Sequence, residues 1–305
     1  MADHDKCKHH GTADSTGGEF PNETMKLLIE RGSCRSFHDK KIPADVLNLI
    51  LRAGIHAATG GNLQPYSIIK IEDKQTSEKL GEMCQQKFIG EAPVNLIFCL
   101  DWHRLERWAK LEKAPFSARS AFRHFWIGFQ DVIIAAQNIC TAADAMGLGS
   151  VYIGTILDFP RDIIRMFELP NGVFPVVLLC LGYPKVRPAP RKKLAVDVMV
   201  HDEKYREFPD QKILDAFQNK YPDRKFEIND ERQERIVEVC RTVHGEDFAK
   251  ECLASIKERG HINMAQYYFG LHYMADIMPQ GNEDFVKIIE EAGFGWFREF
   301  KPPVD

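Results

Sequence analysis

Arg31, Ser33 and Arg35 occupy alternate positions in Arg31-Gly32-Ser33-Cys34-Arg35-Ser36-Phe37. In an extended segment, alternate residues point to the same side. Arginine offers a planar fork of donors and stays charged, and serine adds a short hydroxyl donor. Three such groups aimed at one point make a receptor for a dianionic phosphate. Taken alone, the stretch is better explained as a solvated loop carrying two arginines. A second basic cluster, Arg191-Lys192-Lys193, follows an apolar run and the proline-rich segment Pro184–Pro190. It reads as a solvated turn or as the other half of an anion clamp. Between them, Ala57-Ala58-Thr59-Gly60-Gly61-Asn62-Leu63-Gln64-Pro65-Tyr66 combines small residues with two side-chain amides. Small residues let a flat ligand approach the backbone, and amides read heterocycle edges; a plain helix-terminating loop fits as well.

The elements that would carry these groups can be read from periodicity. Glu23–Glu30 is expected to be a short helix delivering Arg31. A second helix opens at Pro43, with Val46, Leu47, Leu49, Ile50 and Ala53 on its apolar side. Ser67–Ile71, Val94–Leu100 and Phe174–Tyr183 read as strands, and Ser150–Thr155 as a strand and turn. Thr76–Lys87 is expected to be a helix, residues 105–118 an irregular loop, and Ala121–Met146 a long helix packed on several sides. Gly147 suits that helix's C-terminal cap, and Pro160–Phe167 reads as a short helix opened by its proline.

Bulk properties exclude several classes. The net charge of −4 gives no electrostatic case for a nucleic-acid or membrane-surface protein. The longest apolar runs, such as Phe174–Leu181, are too short to cross a bilayer, and the polar N-terminus shows no secretory signal. The eight cysteines form no C-x-x-C pair, so a reducing, cytoplasmic compartment is expected. His4, Cys7, His9 and His10 are of metal-ligating types, but their spacing fits no closed site, and no metal is assigned. Residues 1–20 read as a mobile tail.

In sequence order these stretches resemble the FMN-dependent nitroreductase family, and within it the oxygen-insensitive NADPH nitroreductase and flavin reductase group. The blocks are Arg31-x-Ser33-x-Arg35-x-Phe37; the loop ending Leu63-Gln64; Cys84-Gln85-Gln86-Lys87; Gly147-Leu148-Gly149-Ser150-Val151-Tyr152-Ile153-Gly154; and Leu179-Cys180-Leu181-Gly182-Tyr183-Pro184 followed by Arg191-x-Lys193. The resemblance runs from about Glu23 to Tyr205.

It implies an α+β fold with a mixed, mainly antiparallel sheet flanked by helices. It also implies an intertwined homodimer with FMN in a cleft at the subunit interface. By the same resemblance, Arg191 and Lys193 hold the FMN phosphate, and Arg31 and Ser33 serve the phosphate and ribityl end. Arg35 lies near the pyrimidine edge of the ring, where a cation favours the anionic reduced form. Asn62 and Gln86 hydrogen-bond the ring or ribityl chain, and Gln64 is a further cofactor contact on the Asn62 loop. Ile153 and Gly154 flank the N5 and O4 edge. No side chain need be catalytic, because hydride exchange occurs at FMN N5 in a two-electron ping-pong scheme. NADPH or NADH is the donor, and small, flat, electron-poor molecules such as nitroaromatics and quinones are the acceptors. Gly32 and Lys193 depart from the family's more usual larger residue and arginine. Two alternatives remain at this level: a dedicated flavin, enone or halophenol reductase of the same fold, and a flavin-binding regulatory protein.

The expected division is a tail over 1–20, an FMN-binding domain over 21–208 and a C-terminal helical extension over 209–305. Within the extension, helices are expected over Glu231–Val243, Phe248–Glu258, Met264–Ile277 and Phe285–Ala292. Arg224 and Lys225 lie where relatives bind the 2′-phosphate of NADPH. The part from about Phe269 onward looks additional to the family; it reads as a packed helical extension, or its aromatics cover the acceptor site, extend the dimer interface or bind another protein.

Overall fold

A computed structural model describes residues 20–222 and 224–301. The chain starts with α1 (Glu23–Glu30), capped by the Asn22 side chain, and α2 (Ala44–Ile55), entered from Pro43. β1 (Tyr66–Ile71) follows, then α3 (Lys74–Met83) and the short α4 (Phe88–Glu91). β2 (Val94–Asp101), α5 (His103–Leu111), α6 (Phe122–Ala145), β3 (Gly149–Ile153), α7 (Pro160–Met166) and β4 (Val173–Gly182) complete this part. The strands form one sheet in the order β1-β2-β4-β3, and every pairing is antiparallel.

β2 and β4 are buried along their whole length, which explains why they read as nearly unbroken apolar runs. Alternation splits their side chains between two layers. Leu96, Phe98 and Leu100 face Leu47, Ile50, Val132 and Ile139 of α2 and α6. Ile97, Cys99, Val151, Ile153 and Cys180 face Leu80, Ile89 and Ile163 of α3, α4 and α7. Each such side chain contributes about 1.5–3 kcal/mol by leaving water. α6 ends at Gly147, whose φ of 79° is the left-handed conformation a helix cap uses.

Residues 191–282 form a second compact unit, distinct from the one made by 20–190 with 283–301. It contains α8 (Val196–Met199), α9 (Asp210–Lys220), α10 (Asp230–His244), α11 (Glu246–Arg259) and α12 (Met264–Tyr267). Ile236, Ile256 and Ile262 are its core. α13 (Asn282–Glu291) then joins the first unit, where Ile288, Ile289, Ala292 and Phe294 enter the main core. Phe294 is fully buried, with its ring 5.3 Å from Phe125 and 6.4 Å from Phe174. The observed division therefore falls elsewhere than the expected boundary at 208/209; Phe294 belongs to the core, Trp296 and Phe297 pack against it, and Phe300 is exposed.

Three element expectations are corrected. The helix expected over Thr76–Lys87 stops at Met83, because Gln85 takes a left-handed φ of 53°. Residues 105–118 are not irregular throughout: α5 buries Leu105 and Ala109, one turn apart, beneath a mostly charged exterior. The helix expected over Met264–Ile277 breaks after its first turn into a wide π-type turn at Tyr268–His272, where Gly270 lies against Ile236. The expected tail, with His4, Cys7, His9 and His10, lies outside the described residues.

Candidate functional site

Residues 31–38 form a ribbon laid along the ends of β3 and β4. Cys34 donates its N–H to the Ser150 carbonyl at 2.9 Å, and His38 to that of Tyr183 at 2.8 Å. Lys185 donates back to Ser36 at 3.0 Å, and Phe37 bridges Pro184. The ribbon comes this close because Gly149 has no side chain: a Cβ there would stand 2.7 Å from the Cys34 Cβ. With Cys34 buried against the sheet, its neighbours Ser33 and Arg35 both face solvent. The alternation expected of an extended segment is thus present.

Arg31 is held differently. Its Nε donates to Asp144 Oδ2 at 2.9 Å and its Nη2 to the Ser150 hydroxyl at 3.2 Å. The Asp144 side chain is only 3% exposed, and Arg187 also approaches it, at 3.8 Å. Burial pushes the Asp144 carboxyl above the ordinary carboxylate range, and Arg31 and Arg187 pull it back only in part. Two of the five donors of Arg31 are therefore engaged within the protein.

At the far end of β3, Ile153 is buried and Gly154 is exposed. No atom lies within 4 Å of where a Gly154 Cβ would be, so the backbone there borders open space. Gln86 reaches the same corner, donating from Nε2 to the Thr155 hydroxyl at 2.9 Å. Ser150 and Gly154 are about 13 Å apart along the strand.

Asn62 and Gln64 sit elsewhere on the sheet. Their loop leads into β1, the edge opposite β3. Tyr66 aligns through Leu100 with Phe174 at the start of β4, whereas Gly149 aligns with Gly182 at its end. The Arg31–Arg35 ribbon and the Asn62 loop thus occupy diagonal corners, and a single sheet does not bring them together. Gln64 also serves the local structure, since its Nε2 donates to the Ile55 carbonyl at the end of α2, at 2.9 Å.

Arg191 and Lys193 are exposed residues of the second unit. Burial alone would raise the Tyr221 phenol. Hydrogen bonds with Lys220 and Tyr268 and the charges of Lys220 and Lys193 outweigh it and bring it below its ordinary value. Tyr268 is pushed up, first by burial and then by Tyr221, with Arg191 opposing. Arg191 and Lys193 therefore lie within charge reach of a tyrosine pair. Arg224 and Lys225 are exposed on the loop after α9. Among the described residues, no group of three or more His, Cys, Asp or Glu side chains could hold a metal.

Asp144, Asp131 and Thr155 do not stand out in the sequence. The signal for the first two is that they are the acidic residues of α6, and both are buried. Buried carboxylates are rare unless they hold something.

A model of the nitroreductase family matches residues 28–183, and the chain belongs to that family. The FMN reductase [NAD(P)H] of Bacillus subtilis is 32% identical over 186 residues, covering 60% of this chain and 75% of the relative. The oxygen-insensitive NADPH nitroreductase of Salmonella typhimurium is 31% identical over 192 residues, 63% of this chain and 78% of the relative. Among solved structures, Bacillus megaterium NfrA2 superposes with a TM-score of 0.68 at 26% identity, over 90% of this chain and 98% of that one. The NADPH:FMN oxidoreductase of Vibrio harveyi complexed with NAD+ gives 0.61 at 28% identity, over 66% and 86%.

Proposed function

We propose that this chain is an FMN-dependent oxidoreductase drawing hydride from NADPH or NADH and delivering two electrons to small, flat, electron-poor acceptors. The observation that carries the reading is the β3 edge: a ribbon exposing Ser33 and Arg35 at one end, and an open Gly154 backbone beside Gln86 at the other. The donor set suits FMN, which needs cations and hydroxyls for a phosphate and unobstructed backbone for a planar ring. When bound, FMN would supply two-electron hydride chemistry at its ring N5.

In this reading Ser33 binds the phosphate end, the role that the family resemblance also implies for Arg191 and Lys193. Arg35 contributes a positive charge toward the ring, favouring negative charge there. Arg31, engaged by Asp144 and Ser150, fixes the ribbon and has its remaining donors for the cofactor. Gln86, oriented by Thr155, offers its amide oxygen, and Ile153 and Gly154 border the ring through backbone. Asn62 and Gln64 lie at the diagonal corner, which supports a homodimer in which a second copy brings that loop to the site. Among the described residues, no helix is long and apolar enough to cross a membrane.

Relatives are named for flavin, nitro-compound and Cr(VI) reduction, so the acceptor range is proposed to be broad. The test is initial-rate kinetics with NADPH varied at several fixed concentrations of a nitroaromatic or a quinone. Parallel double-reciprocal lines are expected, because donor and acceptor take turns in one place. Intersecting lines would show both bound together and overturn the scheme.

A further inference from the structure

The loop between α2 and β1 has an uncommon backbone. Gly61, Asn62 and Gln64 have φ of 59°, 55° and 50°. Left-handed conformations are unfavourable for residues with a side chain and persist only where surrounding contacts enforce them. Two of the contacts here are internal or adjacent to the loop. The Gln64 N–H donates to the Thr59 hydroxyl at 3.2 Å, and the Gln64 side chain holds the end of α2.

The third contact comes from a distant element. Asp131, midway along α6, accepts the Gly60 N–H with both carboxylate oxygens, at 3.1 and 3.2 Å. It is 4% exposed, among Val132, Ala135 and other core residues of the helix. An apolar residue would suit helix packing at this position, since a buried carboxylate gives up hydration and here receives one backbone N–H in return. Burial pushes its carboxyl above the ordinary range, with the Gly60 N–H opposing. A group this unfavourable to the helix has its visible return in the loop it holds.

We propose that Asp131 is a positioning residue for the flavin site: by fixing Gly60, it sets the left-handed turn that presents Asn62 to the cofactor. This rests on the reading of Asn62 as a cofactor contact. The position of the acceptor oxygen matters more than its charge. Asn keeps an oxygen at the same reach, Glu keeps the charge but moves it outward by a methylene, and Ala has neither.

The test is FMN affinity of the full chain, from quenching of flavin fluorescence, alongside unfolding midpoints. Asp131→Asn is expected to bind FMN within about twofold of the parent, while Asp131→Glu and Asp131→Ala bind about tenfold more weakly. Asn62→Ala is measured in parallel. If it binds FMN as tightly as the parent, the placement of the loop at the flavin fails. If it binds weakly while Asp131→Ala and Asp131→Glu bind like the parent, the placement stands and the Asp131 assignment is overturned. Should Asp131→Ala not fold, hydrogen exchange of the parent decides: a protected Gly60 amide is expected, and exchange at the free-peptide rate would refute the tether.

Discussion

Arg31 shows how far residue types carry an inference. Its charge and its spacing from Ser33 and Arg35 marked a candidate anion site, but its partner lies on α6 at Asp144, a contact that spacing within the segment does not encode. The same holds for Asp131 and Gly60, which are remote in sequence and joined by packing of α6 against the loop. Gln86 was legible as an amide in one of the family-like blocks, whereas its orientation by Thr155 was not. The partly exposed Arg31 guanidinium, 21% accessible, can turn outward if its partner is lost, so the penalty should be moderate. Asp144→Ala is expected to destabilise the protein by about 2 kcal/mol in urea unfolding. It should also weaken FMN binding by loosening the ribbon. A variant with unchanged stability would mean that the pair contributes nothing.

Among the elements, the central sheet was the most legible part. β2 and β4 are covered on both faces, so their sequences carry a continuous apolar signal. α5 was missed because only Leu105 and Ala109 are buried along it, too narrow a stripe to stand out among Arg, Glu and Lys. The opposite error befell Met264–Ile277, whose aromatic richness reads as helix although Gly270 and the wide turn break it. α13 and Phe294 are core elements, and Phe294 fills the space between Phe125 and Phe174. Two substitutions separate the forces holding this segment. Phe294→Ala should cost about 3–5 kcal/mol, through lost burial and the cavity left behind. Arg161→Ala removes a forked pairing with Asp284 and a contact with Glu291, but these are exposed and water competes for them. Its effect on the unfolding midpoint should be far smaller. Equal effects of the two would show that the segment is held by its ion pairs rather than by its core residues.

For the whole molecule, the family and the α+β fold were legible because motif order survives even where single motifs are weak. What sequence order could not supply is which parts meet. The Arg31–Arg35 and Asn62–Gln64 blocks, neighbours in the chain, lie at diagonal corners of one sheet, and the basic pair Arg191 and Lys193 falls in a second compact unit. The proposed homodimer supplies a physical reason for the separation of the two blocks on the sheet, since a site assembled from two copies need not be contiguous in either. Flavin-mediated electron transfer is tested most simply by anaerobic titration of the FMN-reconstituted protein with NADPH, and separately with NADH, followed by flavin absorbance. One FMN is expected to bind per chain. Its visible band should bleach with one equivalent of at least one nucleotide, then return on adding a quinone. A protein that takes up no FMN, or whose bound FMN keeps its absorbance in the presence of both nucleotides, would contradict that assignment.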